Sequence, residues 1–123
     1  MKNILIVEDD SFLAHAYTAK LSKSGFNMKL AKDGVEAMEI LDAGEFKPEL
    51  ILLDLVMPRM DGFDVLNKLK ENGKIDTIPV VVASNLGQEE DIKKAMDLGA
   101  KDFIVKSNFS LQELIGKIEK LSV

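Results

Sequence analysis

Five residues that could do chemistry stand at the ends of short apolar runs: Glu8 and Asp9 in VEDDS, Asp54 in LLDLVMP, Ser84 in VVASN and Lys106 in FIVKSN. Taking a carboxylate out of water is costly, so the acid that ends LILLD needs a reason to be there. Each residue alone is unremarkable, since Asp at a strand end most often shapes a turn or caps a helix. Asp10 or Ser11 suits the cap of the following helix, and Asp61 suits a turn. As a set they differ. Two carboxylates about 4 Å apart repel by roughly 4 kcal/mol at an effective dielectric of 20. Three together need a cation or a retained proton. Lys106 supplies one positive charge, and a hard divalent ion fits the rest, Mg²⁺ better than Ca²⁺ because it is content with a few carboxylates and several waters. An acidic pocket holding Mg²⁺ attracts strong anions. A phosphoryl group fits, with Ser84 and Lys106 on its oxygens and Asp54 attacking phosphorus to form an acyl phosphate.

That chemistry requires residues nearly a hundred positions apart to meet, and the hydrophobic pattern says how. NILIV, NMKLA, LILL, PVVVA and DFIV read as strands. Four are almost wholly apolar, as expected of parallel strands covered on both faces, whereas the mixed NMKLA belongs at an edge. Helical spacing fills 11–24, 34–44, 63–72, 88–98 and 111–121, the last with Leu111, Leu114, Ile115, Ile118 and Leu121 on one stripe. Ser110 with Glu113 forms a capping-box pattern, and Asp33 with Glu36 repeats it. Gly25, Gly44, Gly73 and Gly99 fall where helices should stop. Strict alternation of strand and helix implies a parallel sheet with helices on both faces. In such a sheet the carboxyl ends share one rim, where ligands bind.

Composition limits the alternatives. The 123 residues suit one domain, and a net charge of -5 argues against direct nucleic-acid binding. There is no cysteine and one histidine, so thiolate and multi-histidine metal sites are excluded. The apolar stretch after Met1–Asn3 is too short for a signal peptide or membrane span, which points to a cytoplasmic protein with no membrane partner.

IVEDDS, ILLDLVMPRMDG, PVVVASN and GAKDFIVKSN, in that order and spacing, resemble the receiver domain of two-component response regulators, of the chemotaxis type. The resemblance covers essentially the whole chain, and implies a doubly wound (βα)5, flavodoxin-like three-layer sandwich with strands in the order 2-1-3-4-5. It further implies a single receiver over 1–123 without an output domain, a signalling protein that promotes its own phosphorylation and dephosphorylation. Asp54 corresponds to the phosphoacceptor. Mg²⁺ would be held by Asp9, Asp54 and the backbone carbonyl of Val56, with Glu8 acting through a water. Ser84 and Phe103 correspond to the switch pair, and Lys106 to the ion-pairing lysine. The donor would be a phosphohistidine on a sensor histidine kinase or phosphotransfer protein. A downstream protein target would read the changed surface of the fourth helix, fifth strand and fifth helix, the receiver being a monomer or a weak phosphorylation-dependent dimer. The mobile segment after Ser84 contains Gly87.

Four positions depart from the common pattern. Ser107 follows the lysine where the family often has a cis-proline, and a cis bond to a non-proline residue costs about 3 kcal/mol, so a trans bond with a shifted loop is expected. Phe103 replaces the frequent tyrosine. Val56 and Leu86 are apolar where relatives place groups that guide water, which suggests a long-lived phosphoryl group. Leu13, Ala14 and the edge of Tyr17 are the expected docking patch for the donor. His15 is expected to be solvated, and Met57 and Met60 to pack. Competing readings are a pseudo-receiver that only binds protein, a receiver excised from a longer regulator, a nucleotide- or flavin-binding module and an aspartate phosphatase. The third would need a phosphate-cradling loop in place of EDDS. The fourth would need an Asp where Val56 stands.

Overall fold

The computed structural model describes residues 2–121. Along the chain it forms β1 (Asn3–Val7), α1 (Ser11–Lys23), β2 (Asn27–Ala31), α2 (Gly34–Ala43), β3 (Leu50–Leu53), α3 (Gly62–Glu71), β4 (Val80–Ser84), α4 (Glu89–Asp97), β5 (Asp102–Val105) and α5 (Leu111–Leu121). The sheet order is β2-β1-β3-β4-β5 and every neighbouring pair is parallel, so this is the expected doubly wound α/β fold. NMKLA is indeed an edge strand.

Alternation along each strand divides the core in two. Leu5, Val7, Ile51, Leu53, Val80 and Val82 face α2, α3 and α4 through Ala37, Leu41, Val65, Leu66, Leu69 and Ala95. Ile4, Ile6, Leu50, Leu52, Val81 and Ala83 face α1 and α5 through Tyr17, Leu21, Leu114, Ile115 and Ile118. A continuous apolar strand therefore serves two layers, and its helices need only one apolar stripe each.

Helix ends match the polar residues that flank them. Asp10, not Ser11, caps α1 by accepting from the Leu13 N–H at 3.1 Å. Ser110 and Glu113 exchange bonds of 3.1 and 2.9 Å before α5. Asp61 does more than shape a turn: it caps α3 in a reciprocal pair with Asp64. Asp33 accepts from the Glu36 N–H at 2.9 Å, but its carboxylate also binds Arg59, so the simple capping box gives way to a longer-range contact. Gly44 closes α2 at φ 72°, and Gly25, Gly73 and Gly99 follow α1, α3 and α4 in the same left-handed region.

One expectation about α1 fails. Ala14 and Tyr17 are buried, so neither can belong to a docking patch, and Leu13 is only half-exposed. The exposed apolar residue there is Phe12, at 79%. Buried α1 residues recur three or four positions apart, on the face that meets the sheet and α5. His15 is solvated as expected, Met57 is buried in the core, and Met60 packs half-buried against it.

Candidate functional site

Strand register assembles the site. Val7 pairs with Leu53, so Glu8 and Asp54, one residue later on each strand, emerge side by side. The Asp54 N–H donates to the Val7 carbonyl at 3.0 Å, and the Glu8 N–H to the Ala31 carbonyl at 2.9 Å, which fixes both backbones at the rim. Ser84 pairs with Val105, which puts Lys106 just beyond it. Between β1 and β3 the strand order reverses, the position at which open α/β sheets form their crevice.

Carboxylate oxygens of Glu8, Asp9 and Asp54 all lie within 4.8 Å of one another. Glu8 and Asp54 are buried and Asp9 is exposed. Lys106 Nζ sits 2.5 Å from Glu8 Oε1 and 3.5 Å from Asp54 Oδ2. One ammonium thus serves two buried acids, leaving the cluster anionic when all three carboxylates are charged. Burial pushes the Glu8 carboxyl up to about 7, the hydrogen bond from Lys106 opposes that, and the nearby Asp54 charge adds to it. A trio of hard oxygen donors with one open, solvent-facing member fits a small divalent cation that keeps some of its waters.

Asp54 is oriented by its own loop. Its Oδ1 accepts from the Leu55 N–H at 2.8 Å, while the Leu55 carbonyl accepts from the Gly62 N–H at 2.9 Å. Gly62 lies so close that an added Cβ would come within 2.3 Å of the Asp54 carbonyl oxygen. The tip of the loop is fastened elsewhere. Arg59, at φ 65°, adopts a left-handed conformation that costs an L-residue roughly 1–2 kcal/mol. Its guanidinium grips Asp33 through Nε–Oδ2 at 2.8 Å and Nη2–Oδ1 at 3.2 Å, a two-point charge-assisted contact. That contact and the Glu36 N–H hold the Asp33 carboxyl below its usual value. Next to it the Gly34 N–H donates to the Met60 carbonyl at 3.0 Å. The sequence marks Asp33 only as a cap, and nothing in PRMDG marks Arg59 as its partner.

Ser84 is fully buried, and its hydroxyl accepts from the Leu86 N–H at 3.3 Å; among the described residues it makes no bond to the acids. Phe103 is half-buried against the α2–α4 side of the core. Leu86 is half-buried and Val56 is 60% exposed. The Lys106–Ser107 bond is trans, as expected in the absence of proline, and Lys106–Asn108 form a short 3-10 turn. Tyr17 lies beneath the acids with its hydroxyl buried and unpartnered among the described residues; burial first, then the Glu8 and Asp54 charges, make that hydroxyl harder to ionise.

A doubly wound sheet that gathers three acids, a lysine and a buried serine along its carboxyl rim defines a class: an α/β domain with an acidic, cation-compatible rim. Comparison with known proteins narrows this. The chain belongs to the response regulator receiver domain family, whose profile matches residues 4–119. The DNA-binding dual master transcriptional regulator RpaA of Synechocystis is 32% identical over 121 residues, covering 98% of this chain and 49% of RpaA. The crystal structure of the phosphorylated cyanobacterial phytochrome response regulator RcpA superposes with a TM-score of 0.86 at 33% identity, covering 98% of this chain and 90% of that one. A chain from the CheX-CheY-BeF3-Mg²⁺ complex of Borrelia burgdorferi gives 0.86 at 32% identity, covering 99% and 90%. The chain spans about half the length of the curated relatives it matches. Among the described residues no helix is long and apolar enough to cross a membrane.

Proposed function

We propose that this chain is a phosphoacceptor switch in which Asp54 takes a phosphoryl group from a phosphohistidine of a sensor kinase or phosphotransfer protein. The observation that carries this reading is the meeting of the Glu8, Asp9 and Asp54 oxygens within 4.8 Å, with Lys106 reaching both buried acids. Asp54 Oδ1 accepts from the Leu55 N–H and Oδ2 faces Lys106 Nζ at 3.5 Å; Oδ2, which Lys106 releases as it turns to the phosphoryl group, is the attacking atom. It forms the new P–O bond as the P–N bond to the donor imidazole breaks, and the imidazole nitrogen leaves with the electron pair. Asp9, Asp54 and the Val56 carbonyl would hold Mg²⁺, with Glu8 acting through a water; the ion supplies neutralisation of the phosphoryl oxygens. Lys106 then moves its charge from the acids towards the new anion.

Ser84 turns from the Leu86 N–H to a phosphoryl oxygen, and Phe103 moves deeper into the space so released, which changes the surface formed by α4, β5 and α5 that a downstream protein reads. The apolar Val56 and Leu86 guide no water to phosphorus, so the phosphoryl group is long-lived; a half-life of seconds with purified protein and Mg²⁺ would count against this. The reading supports a cytoplasmic receiver, monomeric or weakly dimeric when phosphorylated. Incubation with a small-molecule phosphodonor and Mg²⁺, followed by intact mass, tests the assignment. Wild type should gain one phosphoryl and Asp54→Ala none. No gain in the wild type would leave a protein-binding module, and equal gain in both would end the assignment of Asp54.

A further inference from the structure

We infer that Asp33 and Arg59 form a positioning pair for the Asp54 carboxylate, acting through the loop 55–61, and that the pair sets the cation affinity of the acid site. The inference rests on the reading of Glu8, Asp9 and Asp54 as a metal site. Its chain of contacts is continuous. Arg59 binds the buried Asp33 by two bonds, and the adjacent Met60 carbonyl accepts from the Gly34 N–H, so the loop tip is fastened to the start of α2. The loop base is fastened by Gly62 to the Leu55 carbonyl. The same residue, through the preceding peptide, donates its N–H to Asp54 Oδ1. The left-handed backbone at Arg59 marks the tip as held against its local preference. Asp33 is 3% exposed, whereas the Arg59 side chain is 54% exposed, so the pair can be broken from the solvent side without opening the core.

Two substitutions break the pair in different ways. Arg59→Gly removes the guanidinium and suits the left-handed backbone. Asp33→Asn keeps an acceptor for the Glu36 N–H, and so the cap on α2, but loses the charge that Arg59 grips. Arg59→Lys keeps the charge but not the two-pronged geometry. The probe is Mn²⁺ alone, its free concentration read by electron paramagnetic resonance, with folding of each variant checked by circular dichroism and metal-free melting. Asp54→Ala, which should lose binding, identifies the site. We expect the Mn²⁺ dissociation constant to rise about tenfold in Arg59→Gly and in Asp33→Asn, as for other residues that orient metal ligands. Arg59→Lys should lie between these and the wild type, and the double variant should be no weaker than either single one. Folded variants that bind Mn²⁺ as tightly as wild type would overturn the positioning role. A wild type that binds no Mn²⁺, or binds it equally after Asp54→Ala, would instead overturn the metal site and this inference with it.

Discussion

Glu8 is the residue whose surroundings pull hardest in opposite directions. Burial and the neighbouring Asp54 favour its neutral form, while Lys106 and the Asp10 N–H favour the charged one, and burial prevails at about 7. The folded value lies above the ordinary 4.5, so across that interval the folded chain holds a proton that the unfolded chain has released. Stability from this group is therefore greatest below 4.5 and is lost as pH rises through about 7, by about 3 kcal/mol at most. In chelator, the melting temperature of the wild type should fall across this interval, and Glu8→Gln, which cannot titrate, should flatten the slope. A wild-type melting temperature that is level across the interval would show that Lys106 keeps Glu8 charged throughout. Divalent cations compete for the same carboxylate, so added Mg²⁺ should raise melting most at the alkaline end.

At the scale of elements, the loop between β3 and α3 is limited by backbone packed on backbone. A Cβ on Gly62 would meet the Asp54 carbonyl oxygen at 2.3 Å and the Leu55 Cα at 2.7 Å, atoms that no side-chain rotation can move aside. Gly62→Ala should therefore cost about 2–3 kcal/mol and displace the Leu55 N–H from Asp54, lowering both the urea midpoint and the phosphorylation rate. A variant with wild-type stability would mean that the loop yields at no cost. The elements themselves were largely legible in the sequence: an unbroken run such as LILL has few uses except a strand covered on both faces, and α5 shows its stripe plainly. The five rim residues were legible for a related reason, because parallel order converts four separate strand ends into one edge. What could not be read were contacts without a period. Asp33 and Arg59 are 26 positions apart and belong to no repeat, so only the folded loop brings them together. Burial around α1 differs from the expectation because this helix carries apolar residues on more than one side, and sequence alone does not choose which side meets the sheet and α5.

For the whole molecule, the proposed phosphotransfer requires a donor to reach an acid that is itself buried. Asp54 is 8% exposed, so a macromolecular donor must bring its phosphoryl group to the rim and hold it there. Two large apolar side chains stand exposed at the two approaches in sequence: Phe12, three residues past Asp9 at the start of α1, and Val56, two residues past Asp54. Neither belongs to the core clusters of the described residues. Phe12→Ala should therefore change stability by less than about 0.5 kcal/mol. A small phosphodonor needs only the acid cluster, so its rate of labelling Asp54 should be unchanged in this variant. A protein donor must also dock, and truncating an aromatic that the partner buries as one of its few anchors costs 1 kcal/mol or more, about a fivefold to tenfold loss of affinity. Phosphotransfer from the cognate phosphohistidine protein should slow by that factor at subsaturating donor and recover as donor is raised. If both donors slow together, Phe12 acts on the chemistry of the site; if neither slows, the partner approaches across another face.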